Sequence, residues 1–122
     1  MATIGTRLHT LLYGKYVGTD TFGNRYYTER RAAKDRRTRR WVVYKGMAEA
    51  SKVPALWHGW LHYTMDEVPR ENSTSSYDWQ KEHIPNLTGT AGAYVPPGHI
   101  HRGAKRDAST SDYEAWTPGD AV

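Results

Sequence analysis

The apolar positions near the start of the chain repeat with a helical period. Ile4, Leu8, Leu11 and Leu12 stand at i, i+4, i+7 and i+8, one stripe of a short amphipathic helix over residues 4–13. Gly14 follows and can end it. A helix this short is not stable alone in water, so it is expected to dock on something. The period then changes. Lys15–Thr19 and Arg25–Glu29 are β-prone runs separated by Asp20-Thr21-Phe22-Gly23-Asn24, where Gly23 and Asn24 tolerate the positive φ of a hairpin turn. Arg40-Trp41-Val42-Val43-Tyr44-Lys45 predicts a third strand ending at Gly46, with apolar residues continuous enough to expect cover on both faces. From Ser51 to Met65 the helical period returns. Leu56, Trp57, Trp60 and Leu61 share a face, Ser51 is placed to cap the helix, Pro54 suits its first turn, and Asp66-Glu67-Val68-Pro69 ends it.

Beyond residue 65 the pattern thins. Five of the six prolines lie in 66–122, Pro96-Pro97-Gly98 and Thr117-Pro118-Gly119 are breakers, and apolar residues are isolated: Trp79, Ile84, Leu87, Tyr94, Tyr113 and Trp116. A structureless loop of this length is unusual inside a compact domain. Sparse aromatic anchors instead suggest a segment that drapes over another protein and orders there, plain disorder being the alternative. The expected fold is therefore small α+β. A three-stranded antiparallel sheet with short helices forms a body over 1–65, and a long, extended, mostly irregular segment occupies 66–122.

Composition sharpens this picture. Leu, Ile, Val and Phe together number 17 of 122 residues, a thin aliphatic supply, while 5 Trp and 9 Tyr add large apolar area. The core is expected to lean on aromatics and to need a partner to bury enough surface. The longest apolar runs are about four residues against the roughly 20 that a membrane-spanning helix needs, and the first dozen residues lack the apolar run of a secretory signal. There is no cysteine, which removes disulfides, thiolate catalysis, iron–sulfur ligation and cysteine-based zinc sites.

The formal net charge of +4 is concentrated. Arg25 to Lys45 holds nine basic and two acidic residues, a local +7. Such a cluster can meet phosphate, anionic lipid or an acidic protein face, or be a solvated loop. Arginines interleaved with aromatics, as at Tyr26-Tyr27 and Arg39-Arg40-Trp41, could also stack on bases, although the strand motifs of RNA-recognition domains are missing. His58 and His62 at i, i+4, with His99 and His101 two apart, could on paper supply four imidazoles to zinc. Two distant segments and no acidic residue in register make that weak, so no metal and no cofactor is expected. No catalytic triad order, phosphate loop or dinucleotide fingerprint occurs.

Several ordered motifs do carry a resemblance. They are Gly18-Thr19-Asp20-Thr21-Phe22-Gly23-Asn24-Arg25-Tyr26-Tyr27, Arg39-Arg40-Trp41-Val42-Val43-Tyr44, Val53-Pro54 with Trp57-His58-Gly59-Trp60-Leu61-His62, Pro85-Asn86-Leu87-Thr88-Gly89-Thr90 leading to Ala93-Tyr94 and Pro96-Pro97-Gly98, and Tyr113-Glu114-Ala115-Trp116-Thr117-Pro118. The chain resembles the seventeen-kilodalton accessory subunit family of respiratory complex I, the proton-pumping NADH:ubiquinone oxidoreductase, from about Gly5 to Pro118. Its length and the lack of a transit peptide resemble the alphaproteobacterial form. Ala55 departs from a second proline common in the family, and Arg30 to Arg40 is variable there. The resemblance implies a non-catalytic subunit with no redox centre, peripheral on the cytoplasmic face of the bacterial inner membrane. Its expected partners are the other complex I subunits, especially the iron–sulfur subunits of the peripheral arm, and no nucleic acid, while the basic cluster Arg25 to Lys45 adds anionic lipid as a further expected contact. The family includes a related assembly factor, and that role is the alternative, beside a small basic RNA- or ribosome-associated protein. The residues expected to dock on partners are Tyr26, Tyr27, Arg40, Trp41, Trp57, Trp60, Tyr94 and Trp116.

Overall fold

The computed structural model describes residues 2–70 and 77–119. Two compact units divide the chain, Met1–Asn86 and Leu87–Val122, so the boundary falls later than the 65/66 division read from composition. The portion of the expected tail at 71–76 lies outside the described residues.

The first unit carries the sheet and both α-helices. Helix α1 spans Ile4–Tyr13, and its N-cap Thr3 accepts a hydrogen bond from the Thr6 N–H. It does not stop in a left-handed turn. Gly14 is extended (φ −85°, ψ 139°), so the helix runs directly into strand β1, Gly14–Thr19. Strands β2 (Arg25–Glu29) and β3 (Arg40–Val43) complete an antiparallel sheet of order β1-β2-β3. In the turn between β1 and β2 only Gly23 adopts the left-handed conformation (φ 83°), and Asn24 does not.

Register sorts the aromatics onto two faces. Tyr16 pairs with Tyr27, and Tyr27 with Trp41, so these three share the outer face. A bulge between Tyr16 and Gly18 inserts one residue into β1, and Tyr26 then faces Gly18 and Val42 on the inner face. The inner face receives helix α2, Ala55–Leu61. Tyr26, Val53, Trp57 and Trp60 form the core, with Val17, Val42, Tyr44 and Leu61 packed against it. The Tyr26 and Trp57 rings stack with centroids 3.9 Å apart and planes 8° apart. Trp60 meets both rings edge-on, at 6.3 and 5.7 Å. Aromatic pairs of this kind contribute about 0.5–1.5 kcal/mol beyond area burial, so three rings replace the aliphatic bulk that the sequence lacks. The expected cover on both faces of β3 is present. Val42 lies against this core, and Trp41 lies under α1, its Nε1 donating to Thr10 Oγ1 at 3.0 Å.

Both ends of α2 differ from expectation. Ser51 does not cap it. Ser51 sits in a short 3-10 turn, Ala50–Lys52, and the N-cap of α2 is Pro54 with no side-chain cap. The helix ends at Leu61, ahead of Asp66–Pro69, because Tyr63 turns left-handed (φ 61°). That conformation is costly for a bulky residue and is held here by the Tyr63 hydroxyl donating to Thr38 O at 2.7 Å.

The second unit is built from consecutive turns and a 3-10 turn, Ile100–Arg102, closed by Gly103 in the left-handed region. Arg102 Nη1 donates to Val95 O at 3.0 Å, and Arg106 pairs with Asp112. Among the described residues it has no strand, as the irregular reading of this segment expected.

The stack leaves no space beside β1. A Cβ built at Gly18 would lie 2.8 Å from Trp57 Cη2, and the rigid indole cannot step aside. Gly18→Ala is expected to destabilise the first unit by about 1–3 kcal/mol, read as a lower urea midpoint. A stability equal to wild type would show that Trp57 is not held where the stack places it.

A candidate protein-docking surface

The residues singled out from the sequence separate into three groups. Tyr26, Trp57 and Trp60 are buried in the chain's own core. This corrects their assignment to a docking face: the strand and helix that carry them turn them toward each other.

Arg40 is a second correction. It projects from β3 beside the C-terminus of α2. Its Nη1 donates to Trp60 O at 2.7 Å and Met65 O at 3.0 Å, and its Nη2 reaches Asp66 Oδ1 at 3.1 Å. The guanidinium also lies over the Trp60 and Tyr63 rings, 4.9 and 4.7 Å from their centroids. It satisfies carbonyls that a helix end leaves open and fastens α2 to the sheet. With its side chain only 14% exposed, it is an internal clamp.

Tyr27 and Trp41 are half-buried on the outer face, stacked at 6.3 Å, with the His9 ring edge-on to Trp41 at 5.3 Å. They seat α1. Tyr94 and Trp116 belong to the second unit and are exposed.

The basic cluster is likewise divided. Arg36 forms a two-pronged pair with Glu29 (2.8 and 3.0 Å), which holds the Glu29 carboxyl below the usual carboxylate range. Arg30 Nε donates to Gly14 O at 2.8 Å. Arg37 lies over the Tyr63 ring at 5.5 Å. Much of the +7 segment is therefore tied into the loop that joins β2 to β3.

The surface presented to solvent is apolar at two places. The first is α1, whose stripe is exposed: Ile4 87%, Leu8 55%, Leu11 70% and Leu12 55%. The helix rests on the sheet through Thr10 and His9, so the aliphatic stripe points away from it. The helical period identified this stripe, but only the structure shows that nothing in the described chain covers it.

The second place is the tail. Its first part is fastened to the body. His83 Nε2 lies 2.7 Å from Ser51 O, the His83 ring is edge-on to Phe22 at 5.7 Å, and the Asn86 N–H donates to Ser51 Oγ at 3.0 Å. Trp79 and Ile84 flank this anchor and are exposed, with Tyr77 stacked on Trp79 at 5.7 Å. Sequence reading missed the role of His83, which has no periodic neighbour to signal it.

The remaining histidines named from the sequence form two pairs. The rings of His58, on α2, and His62, at its C-cap, have centroids 4.1 Å apart in the first unit, and those of His99 and His101 are 5.0 Å apart in the second. Among the described residues no three His, Asp or Glu side chains gather as metal ligands would.

Comparison with known proteins follows the same residues. A family model described as NADH ubiquinone oxidoreductase subunit NDUFA12 matches residues 14–118. The chain is 38% identical to NADH dehydrogenase (ubiquinone) 1 alpha subcomplex subunit 12 of Dictyostelium discoideum, over 74% of this chain and 65% of the relative. It is 34% identical to the probable subunit of the same name in Arabidopsis thaliana, over 93% of this chain and 72% of the relative. An uncharacterized protein of Rickettsia prowazekii is 38% identical over 59% of this chain and 70% of its own length. The chain thus spans about two thirds of the length of the curated relatives it matches.

Proposed function

The chain belongs to the NADH ubiquinone oxidoreductase subunit NDUFA12 family, and from that premise we propose that it is an accessory subunit of complex I that stabilises the peripheral arm without catalysis of its own. The observation that carries this is the run of large apolar side chains left in solvent along an irregular tail: Trp79, Ile84, Tyr94, Tyr113 and Trp116. Exposed aromatics of this number suit anchors that enter pockets on a partner, where Trp and Tyr contribute most per residue. Each such anchor lowers the free energy of the assembled state and none of the unassembled one, so the subunit stabilises the arm by mass action. Arg36 with Glu29, Arg40 with Asp66 and Arg106 with Asp112 hold turns and loops of this chain, and the electron-transfer steps belong to neighbouring subunits with iron–sulfur clusters. No described helix is long and apolar enough to cross a membrane. A peripheral position on the cytoplasmic face of a bacterial inner membrane fits this.

Native electrophoresis of gently solubilised membranes tests the reading. The tagged chain is expected to co-migrate with NADH dehydrogenase activity. Trp79→Ala with Trp116→Ala is expected to reduce its incorporation at least about tenfold, since buried aromatic anchors each contribute about 2 kcal/mol or more. NADH oxidation with an artificial acceptor is expected to stay unchanged. A chain found only with a smaller, immature species points to the assembly-factor role. A chain that never co-migrates with the complex or its intermediates refutes the proposal.

A further inference from the structure

We propose that the outer side of the first unit, α1 together with the groove beside it, seats on an anionic phospholipid surface. The groove lies between α1 and the outer face of the sheet, is open to solvent and has a volume of about 990 Å³. Tyr16 and Tyr27 lie within it, and its charged lining residues are Arg7, Arg25, Arg30 and Lys45, with no carboxylate among them. Among the described residues none of these four cations is held in an ion pair. Glu29, the acidic residue nearest along β2, is occupied by Arg36. A field of one sign therefore faces out of the groove, where phosphate would be drawn in.

The groove is continuous with the aliphatic stripe. Leu11 belongs to both, since it lines the groove and stands in the stripe with Ile4, Leu8 and Leu12. Tyr13 and Tyr16 flank the stripe and are 58% and 54% exposed. Aliphatic side chains, amphipathic tyrosines beside them and cations behind are the order in which acyl chain, interface and headgroup phosphate occur at the edge of a bilayer. A helix of ten residues is about 15 Å long, half of the hydrocarbon thickness, so it lies in the interface plane.

The charge and the stripe together exclude two other occupants. A second copy of the chain would bring like cations against like. A nucleic-acid backbone would use the cations and leave four aliphatic side chains wet. Helix α1, which carries the aliphatic stripe, precedes the residues that the family model matches, whereas Arg25, Arg30 and Lys45 of the groove fall within them.

Flotation of the purified full chain with vesicles tests it. The chain is expected to float with vesicles of phosphatidylcholine plus phosphatidylglycerol, to stay behind with phosphatidylcholine alone, and to be released by salt. Arg25→Gln with Lys45→Gln is expected to weaken partitioning about 30-fold, roughly fivefold for each charge near the surface. Leu8→Glu with Leu12→Glu is expected to abolish it. All four side chains are exposed, so near-ultraviolet circular dichroism of the folded chain should not change. The proposal falls if the folded chain ignores anionic vesicles, if neutral vesicles bind it equally, or if both double variants float like wild type. Scoring the same variants for entry into complex I separates the two readings. Loss of entry by a chain that never binds vesicles assigns this face to a protein neighbour and overturns the lipid proposal. Vesicle binding by a chain that never enters the complex leaves the lipid face standing and removes the accessory-subunit reading.

Discussion

Trp60→Ala is expected to lower the stability of the first unit by about 3–5 kcal/mol, the usual range for removing a buried tryptophan. Trp60 is 3% exposed and meets Tyr26 and Trp57 edge-on. Arg40 lies over its ring, so truncation also strips the guanidinium of the aromatic face that shields it. With small domains stable by roughly 5–15 kcal/mol, and a core of four buried hydrophobic side chains, this loss takes a large share of the total. Urea unfolding followed by near-ultraviolet circular dichroism measures it. Trp60→Phe keeps an edge-on ring and should recover part of the loss. Trp79→Ala supplies the contrast, because an exposed indole should change stability by no more than about 0.5 kcal/mol. If Trp60→Ala behaved like Trp79→Ala, the three-ring cluster would not be the core.

The elements were legible in the sequence wherever a period or a turn residue declared them. The stripe from Ile4 to Leu12 marked α1, the runs around Gly23 marked the hairpin, and Leu56, Trp57, Trp60 and Leu61 marked α2. Their interiors and exteriors were less legible. Tyr26 and Tyr27 are adjacent and chemically alike, yet one is fully buried and the other half-buried, because successive residues of β2 point to opposite faces and α2 covers only the face of Tyr26. Arg40 read as surface charge because arginine usually is. Its inward role depends on carbonyls at Trp60 and Met65, brought beside β3 only by the tertiary fold. Tyr63 ends α2 with a left-handed backbone that a β-prone aromatic does not advertise, and the stop was expected at the acidic and proline residues beyond. The same limitation applies to docking. An exposed aromatic such as Trp116 and a buried one such as Trp57 are the same letter, and only packing separates an anchor for a partner from a brick of the core.

Asp20→Ala is expected to destabilise the first unit by roughly 3–5 kcal/mol, although it removes no apolar surface. Asp20 organises the β1–β2 turn. Its Oδ1 accepts from the backbone N–H groups of Phe22 and Asn24 at 2.9 and 3.0 Å, and its Oδ2 accepts from Asn24 Nδ2 and the Tyr26 hydroxyl, both at 2.8 Å. Asn24 passes the bond on, donating to Lys52 O at 3.2 Å and accepting from the Lys45 N–H at 3.1 Å, so one carboxylate ties the turn to the end of β3 and the approach to α2. Tyr26 and Asn24 are essentially fully buried, and alanine at 20 leaves the Tyr26 hydroxyl without its acceptor and the Asn24 amide with Lys52 O alone, at about 1–3 kcal/mol for each bond lost in a dry site. Tyr26→Phe removes the hydroxyl but keeps the stack on Trp57. The double variant should therefore be less than additive, with a coupling of about 1 kcal/mol or more. Additive losses would show that the bond between these two side chains contributes nothing. The pH dependence has a fixed sign. Burial, and then the Asp20 carboxylate, push the Tyr26 hydroxyl far above the ordinary tyrosine value of about 10. The folded chain holds this proton where the unfolded chain releases it, so the stability that Tyr26 contributes is complete below about pH 10 and is lost as pH rises beyond it. In Tyr26→Phe this alkaline loss should be smaller, whereas an unchanged alkaline slope would place the titrating group elsewhere.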